Sequence, residues 1–113
     1  MQTFQSGEII LVHHPFSDFQ GMKLRPSLVL LDSGDEDVVV ARVTRRTHSG
    51  LFDVPLDDWK YAGLMSSSTV RINKNLNVAK RLVKHRIGKL SEHDWLKTTQ
   101  AVQRLWEDIL PSP

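Results

Sequence analysis

Gly7-Glu8-Ile9-Ile10-Leu11-Val12 and, after a polar stretch, Leu24-Arg25-Pro26-Ser27-Leu28-Val29-Leu30-Leu31 are the segments whose reading decides the fold. Ile9 to Val12 is an unbroken apolar run of strand length, the pattern of a strand covered on both faces, and it predicts a strand over residues 8–13. Pro15, Ser17, Asp18 and Gly21 are turn formers and predict a loop over residues 14–24. Pro26 stands at the start of the second run, where its missing N–H interrupts no ladder, and predicts a strand over residues 26–31.

Working outward, Asp32-Ser33-Gly34-Asp35-Glu36-Asp37 reads as a turn, and the valine-rich residues 38–44 as a third strand. Residues 47–50 form a polar connection, and the alternation over 51–56 predicts a half-buried strand. A short helical turn is expected around Trp59 and Tyr61, then strands over 68–72, 75–78 and 82–87. Ser91-Glu92-His93-Asp94 is a capping box, in which the serine hydroxyl and the aspartate three residues on each serve the free amides of a helix start. The helix is expected to run to about residue 109, with Trp95, Thr99, Val102, Trp106 and Ile109 on one apolar stripe, and Pro111 and Pro113 beyond it. Trp59, Trp95 and Trp106 are expected in the core. The fold class is mainly β with one C-terminal α-helix: a small, strongly bent antiparallel sheet or partly open barrel, as a single domain over 1–113.

The chain has 113 residues, enough for a core without staples. With no cysteine, disulfides and thiolate metal sites are excluded. The start Met-Gln-Thr-Phe-Gln-Ser-Gly has neither the basic nor the apolar region of a signal peptide, and no run reaches the roughly 20 apolar residues of a membrane helix. A cytoplasmic protein with no membrane partner is expected. The net charge of +2 is modest but segregated. Arg71, Lys74, Lys80, Arg81, Lys84, Arg86 and Lys89 follow one another with no acid between, whereas acids gather at 32–37 and 53–58. Such a field draws a polyanion, or else is a solvated strand face with its turns.

Arg25 is the leading candidate for chemistry. Pro26 biases it toward extended backbone, and its guanidinium offers five fixed donors and a permanent charge, suited to a phosphate that gains charge in a transition state. The competing reading is an ion pair with Asp18 or Glu8. Thr44, at the end of the third strand before Arg45-Arg46, offers a hydroxyl to a nucleotide, or is simply a good strand residue. Among the histidines, His13 and His14 are adjacent, face opposite sides of a strand and cannot chelate together; His48 can reach the same loop edge as Thr44. Ser66-Ser67-Ser68-Thr69 is a hydroxyl run able to contact phosphate or ribose, and Phe16 and Phe19 are candidates for stacking on bases. No phosphate-binding loop, dinucleotide fingerprint or His-Glu-x-x-His motif is present, so neither cofactor nor metal is expected.

In order, Gly7-Glu8-Ile9-Ile10-Leu11-Val12, Pro15-Phe16-Ser17-Asp18 with Gly21, Lys23-Leu24-Arg25-Pro26-Ser27-Leu28-Val29-Leu30 and Ala41-Arg42-Val43-Thr44 resemble the PemK/MazF family of toxin endoribonucleases. The likeness continues through Gly63-Leu64-Met65, Ser68-Thr69-Val70-Arg71 and Ile87-Gly88-Lys89-Leu90-Ser91. The resemblance implies an SH3-like barrel of the PemK/MazF/CcdB type, a homodimer, a cognate antitoxin, and metal-independent, sequence-specific cleavage of single-stranded RNA by 2′-hydroxyl attack. It places the catalytic groups at Arg25 and Thr44. RNA contacts are expected from Phe16, Ser17, Asp18, Gln20, Lys23, Arg45, Arg46, His48, Ser67 and Ser68. Some family members carry a glutamate or histidine in the first loop as base; here Phe19 and Gln20 stand there, and Asp18 and His48 are the substitutes. The alternatives are a gyrase-directed toxin of the CcdB type or an inactive nucleic-acid binder on the same fold, and a plain protein-interaction module.

Overall fold

The computed structural model describes residues 2–14 and 23–111. The elements run β1 (Glu8–His14), β2 (Lys23–Leu31), β3 (Asp37–Thr44), β4 (Asp53–Pro55), β5 (Thr69–Ala79), a single 3₁₀ turn (Lys80–Leu82), β6 (Val83–Lys89) and α1 (Glu92–Ile109). The strands form one six-stranded antiparallel sheet in the order β4-β5-β3-β2-β1-β6. This is the mainly β fold with a C-terminal helix that the sequence pattern predicts.

The apolar run of β1 explains its central place. Ile9 and Leu28 belong to one core cluster, whereas Ile10, Val12 and Val29 belong to another on the opposite face, with both β1 isoleucines fully buried. Truncating either isoleucine to Ala removes about 2–5 kcal/mol. The first cluster draws Val54 from one sheet edge and Ile87 from the other, so the sheet curls around it, and α1 closes it with Trp95, Ala101, Val102 and Leu105. The second cluster is capped by Phe4, Leu82 and Val83.

Several boundaries differ from expectation. β2 begins at Lys23 rather than Pro26, because Lys23, Leu24 and Arg25 already pair with His14, His13 and Val12. Pairing of β2 with β3 stops at Ser27, one residue inside the proline, which has no N–H to extend it. The strand expected over 51–56 shrinks to β4, because Asp53 N–H turns back to the Gly50 carbonyl. The strands expected at 68–72 and 75–78 are one strand, β5, whose register against β3 slips between Ala41↔Asn75 and Arg42↔Arg71. The short helical turn expected around Trp59 and Tyr61 is a run of turns over residues 59–63, in which the Ala62 N–H donates to the Asp58 carbonyl at 3.2 Å and the Gly63 N–H to the Lys60 carbonyl at 3.0 Å.

The helix starts as expected, with Ser91 Oγ accepting the Asp94 N–H at 3.1 Å. Asp94 itself does not reach back to the cap. Its buried carboxylate accepts the N–H groups of Asp57 (3.0 Å) and Asp58 (2.8 Å), binding the preceding turns to the helix. The predicted stripe holds through Trp95 and Val102 but not to the end: Trp106 and Ile109 are exposed, because Leu105 is the last helical residue packed on the core. No described helix is long and apolar enough to cross a membrane.

Candidate functional site

Register places the candidate residues. Ser27 lies opposite Arg42 on β3, Arg42 opposite Arg71 on β5, and Arg71 opposite Asp53 on β4. Thr44 lies opposite Thr69, and Thr69 opposite Pro55. Alternation puts Arg25, two residues before Ser27 on β2, and Thr44, two residues after Arg42 on β3, on the same face as that pair. Directly opposed residues share a face. One face therefore bears two neighbouring rows: Arg25, Thr44, Thr69 and Pro55, then Ser27, Arg42, Arg71 and Asp53. They continue the face whose other half is the Ile10–Val29–Val40 cluster.

Arg25 is partly exposed, and its guanidinium has no hydrogen bond or ion pair among the described residues. Glu8, one of its two rivals for partner, is engaged elsewhere: it accepts from Arg86 at 3.1 Å and from the Gln5 N–H at 2.6 Å. Thr44 Oγ1 accepts the Arg46 N–H at 3.2 Å, so its own O–H is free to donate. Arg45 and Arg46 are exposed beside it, His48 is partly buried, and Lys23 is exposed at the start of β2.

Asp53 organises this edge. Its side chain, only 2% exposed, accepts from Arg71 Nε at 3.0 Å and from the Gly50 N–H at 2.8 Å. Burial by itself would raise its carboxyl. The Arg71 hydrogen bond, the Gly50 N–H and the charges of Arg71 and His48 outweigh burial and hold it below the ordinary carboxylate value. A side chain at Gly50 would place its Cβ 2.8 Å from Asp53 Oδ2.

Ser67 is exposed, but Ser68 is turned inward and donates to the Ser66 carbonyl at 2.9 Å, which removes its hydroxyl from any surface contact. Phe16, Ser17, Asp18 and Gln20, with Phe19, lie outside the described residues. The basic 71–89 segment is partly neutralised within the fold: Arg71 by Asp53, Lys80 by Asp32 and Arg86 by Glu8. Asp57, His93 and Asp94 bring potential metal ligands within 4.8 Å of one another. There, however, Asp57 accepts from Lys97 (2.9 Å) and His93 (2.7 Å), and both Asp94 oxygens hold backbone amides, so the group is a cap for the turns before the helix. A hollow of about 570 Å³ lies elsewhere, between Thr3, Gln5, Glu8, Arg86 and Lys89. Its arginine is engaged by Glu8, the Thr3 carbonyl and the Phe4 ring.

Arg42, Arg71 and Asp53 were not singled out from the sequence as one site. The signal was period two: Arg42 and Thr44, Thr69 and Arg71, and Asp53 and Pro55 each share a face.

The chain is thus a six-stranded antiparallel sheet with one C-terminal helix, bearing an arginine and a strand-end hydroxyl on one basic face. Residues 5–106 match the model of the PemK-like, MazF-like toxin of type II toxin-antitoxin systems, and the chain belongs to that family. No curated protein matches the sequence. Among solved structures, an endoribonuclease in complex with its cognate antitoxin from a mycobacterial species is similar at a TM-score of 0.74 and 15% identity, over 98% of this chain and 100% of that one. Mycobacterium tuberculosis toxin MazF-mt6 is similar at 0.69 and 20%, over 87% and 96%. A MazE-MazF structure from Deinococcus radiodurans (Form-II) is similar at 0.75 and 16%, over 95% and 98%.

Proposed function

We propose that this protein is a sequence-specific, metal-independent endoribonuclease of single-stranded RNA, the growth-inhibiting toxin of a type II toxin–antitoxin pair, acting in the cytoplasm. The observation that carries this reading is the Arg25 guanidinium, with no carboxylate partner among the described residues, on the same sheet face as a Thr44 hydroxyl whose proton is free to donate.

In the reaction, the ribose 2′-oxygen forms a bond to the adjacent phosphorus while the bond to the 5′-oxygen breaks. The 2′-hydroxyl proton goes to a base and a proton is delivered to the 5′-oxygen, leaving a 2′,3′-cyclic phosphate and a 5′-hydroxyl. Arg25 stabilises the charge on the crowded phosphorane without deprotonating at any working pH. Thr44 donates to a phosphate oxygen, and its neutral hydroxyl is too weakly basic to take the proton. His48, the imidazole four residues past Thr44, is the described residue assigned to take the proton. Lys23, Arg45, Arg46 and Ser67 line the approach of the strand. The chain works as a homodimer, supported by the exposed apolar Leu96, Trp106 and Ile109 on α1 and Leu110 just after it. A cognate antitoxin covers the basic face.

The test is digestion of single-stranded RNA by purified protein in excess chelator. Cleavage that Arg25→Ala abolishes, with the circular dichroism spectrum retained, supports the reading. Cleavage only with added magnesium, or full cleavage by Arg25→Ala, overturns it.

A further inference from the structure

We infer that Arg42 and Arg71 together form a second phosphate seat, which takes the backbone phosphate next to the one held at Arg25 and Thr44. This rests on the ribonuclease reading and adds to it a stretch of substrate that the catalytic pair does not touch.

The two arginines are direct cross-strand partners. Like charges in that position repel, and an anion bound between them relieves the repulsion. Asp53 supplies one carboxylate, and only to Arg71 Nε, from the β4 side. The terminal amino groups of Arg71, and the whole guanidinium of exposed Arg42, have no protein partner among the described residues. Asp53 thereby fixes the direction of Arg71 without consuming its paired donors, which suit two oxygens of one phosphate.

Spacing selects the occupant. Residues i and i+2 on a strand are about 6.7 Å apart on one face. The Arg42–Arg71 row is therefore one such step from the Arg25–Thr44 row, close to the separation of neighbouring phosphates on an extended single strand. A single-stranded nucleic acid presents this repeat whatever its sequence, whereas an extended peptide does so only where acidic residues alternate.

The test uses the full-length protein and a random-sequence RNA of about a dozen nucleotides, 2′-O-methylated throughout so that it binds without being cut; backbone binding is tolerant of sequence. Affinity is read by fluorescence anisotropy across a salt series. Arg42→Gln is expected to weaken binding by roughly fivefold and to lower the salt slope by about 0.7, the release expected for one phosphate of a single strand. Arg42→Lys is expected to recover the slope and part of the affinity. On the same pool with uncharged methylphosphonate linkages, wild type and Arg42→Gln are expected to bind alike.

If wild type binds and Arg42→Gln matches it in affinity and slope, the inference falls and the ribonuclease reading stands. A defect of equal size on the uncharged pool shows a structural role for Arg42 and overturns the inference. Weakened binding to a glutamate-rich peptide with RNA binding untouched assigns the row to a protein partner and overturns it too. Failure of wild type to bind any RNA overturns both. Binding with the Arg42 defect, but no cleavage of unmodified RNA, upholds the seat and overturns the nuclease.

Discussion

Asp53→Ala is the substitution whose effect the structure specifies most fully. It removes a carboxylate that is 2% exposed and that joins Arg71 at 3.0 Å to the Gly50 N–H at 2.8 Å. Breaking a buried ion pair from one side costs about 3–5 kcal/mol. The Arg71 side chain retains 23% exposure, so water replaces part of the lost interaction and the pair accounts for roughly 2 kcal/mol. The Gly50 amide is exposed and finds water, adding about 0.5 kcal/mol. The expected loss is therefore about 2.5 kcal/mol, or roughly 10 °C in melting temperature at this chain length.

The pH dependence carries a sign. The Asp53 carboxyl is lowered in the folded protein, so its contribution is full above the unfolded value of about 3.9 and is lost as pH falls through the lower folded value. Thermal melts followed by circular dichroism from pH 7 to pH 2 should show the gap between wild type and Asp53→Ala narrowing below about pH 4. A shift under 3 °C at pH 7, or a gap that stays constant into acid, refutes the reasoning.

Arg25→Lys keeps a charge but loses the planar fork, and cleavage is expected to fall by about 10²–10³ in single-turnover assays with melting temperature unchanged. Asp94→Ala leaves the part-buried Asp57 and Asp58 amides without their acceptor, and chemical denaturation should report a loss of about 1–3 kcal/mol. Asp32 accepts the Phe4 N–H, the Lys80 ammonium and the Gly34 N–H, which hold it at about 2. Its contribution is full above about pH 4 and disappears toward pH 2, so Asp32→Asn should flatten the acid limb of a stability–pH curve.

What the chain revealed in advance was local. Unbroken apolar runs announce β1 and β3, and Ser91 announces the helix start, because burial on both faces and capping are written in neighbouring residues. Leu51 and Phe52 alternate like a strand yet form a turn, since the Gly50–Asp53 contacts bend the chain before pairing begins. Trp106 fits the helical stripe but overhangs the end of the core. The remaining unread features are long-range. Asp94 to the 57–58 amides, Asp32 to Lys80 and Asp53 to Arg71 each join segments that only the folded sheet brings together. Arg25 and Thr44 were legible as candidates, whereas Arg42 and Arg71 became part of the site only through register.

Mass analysis of the RNA ends produced in excess chelator addresses the phosphodiester chemistry assigned to Arg25 and Thr44 most directly. Attack by the 2′-hydroxyl predicts a 2′,3′-cyclic phosphate on one fragment and a 5′-hydroxyl on the other. A 3′-hydroxyl with a 5′-phosphate, or intact RNA, would contradict it.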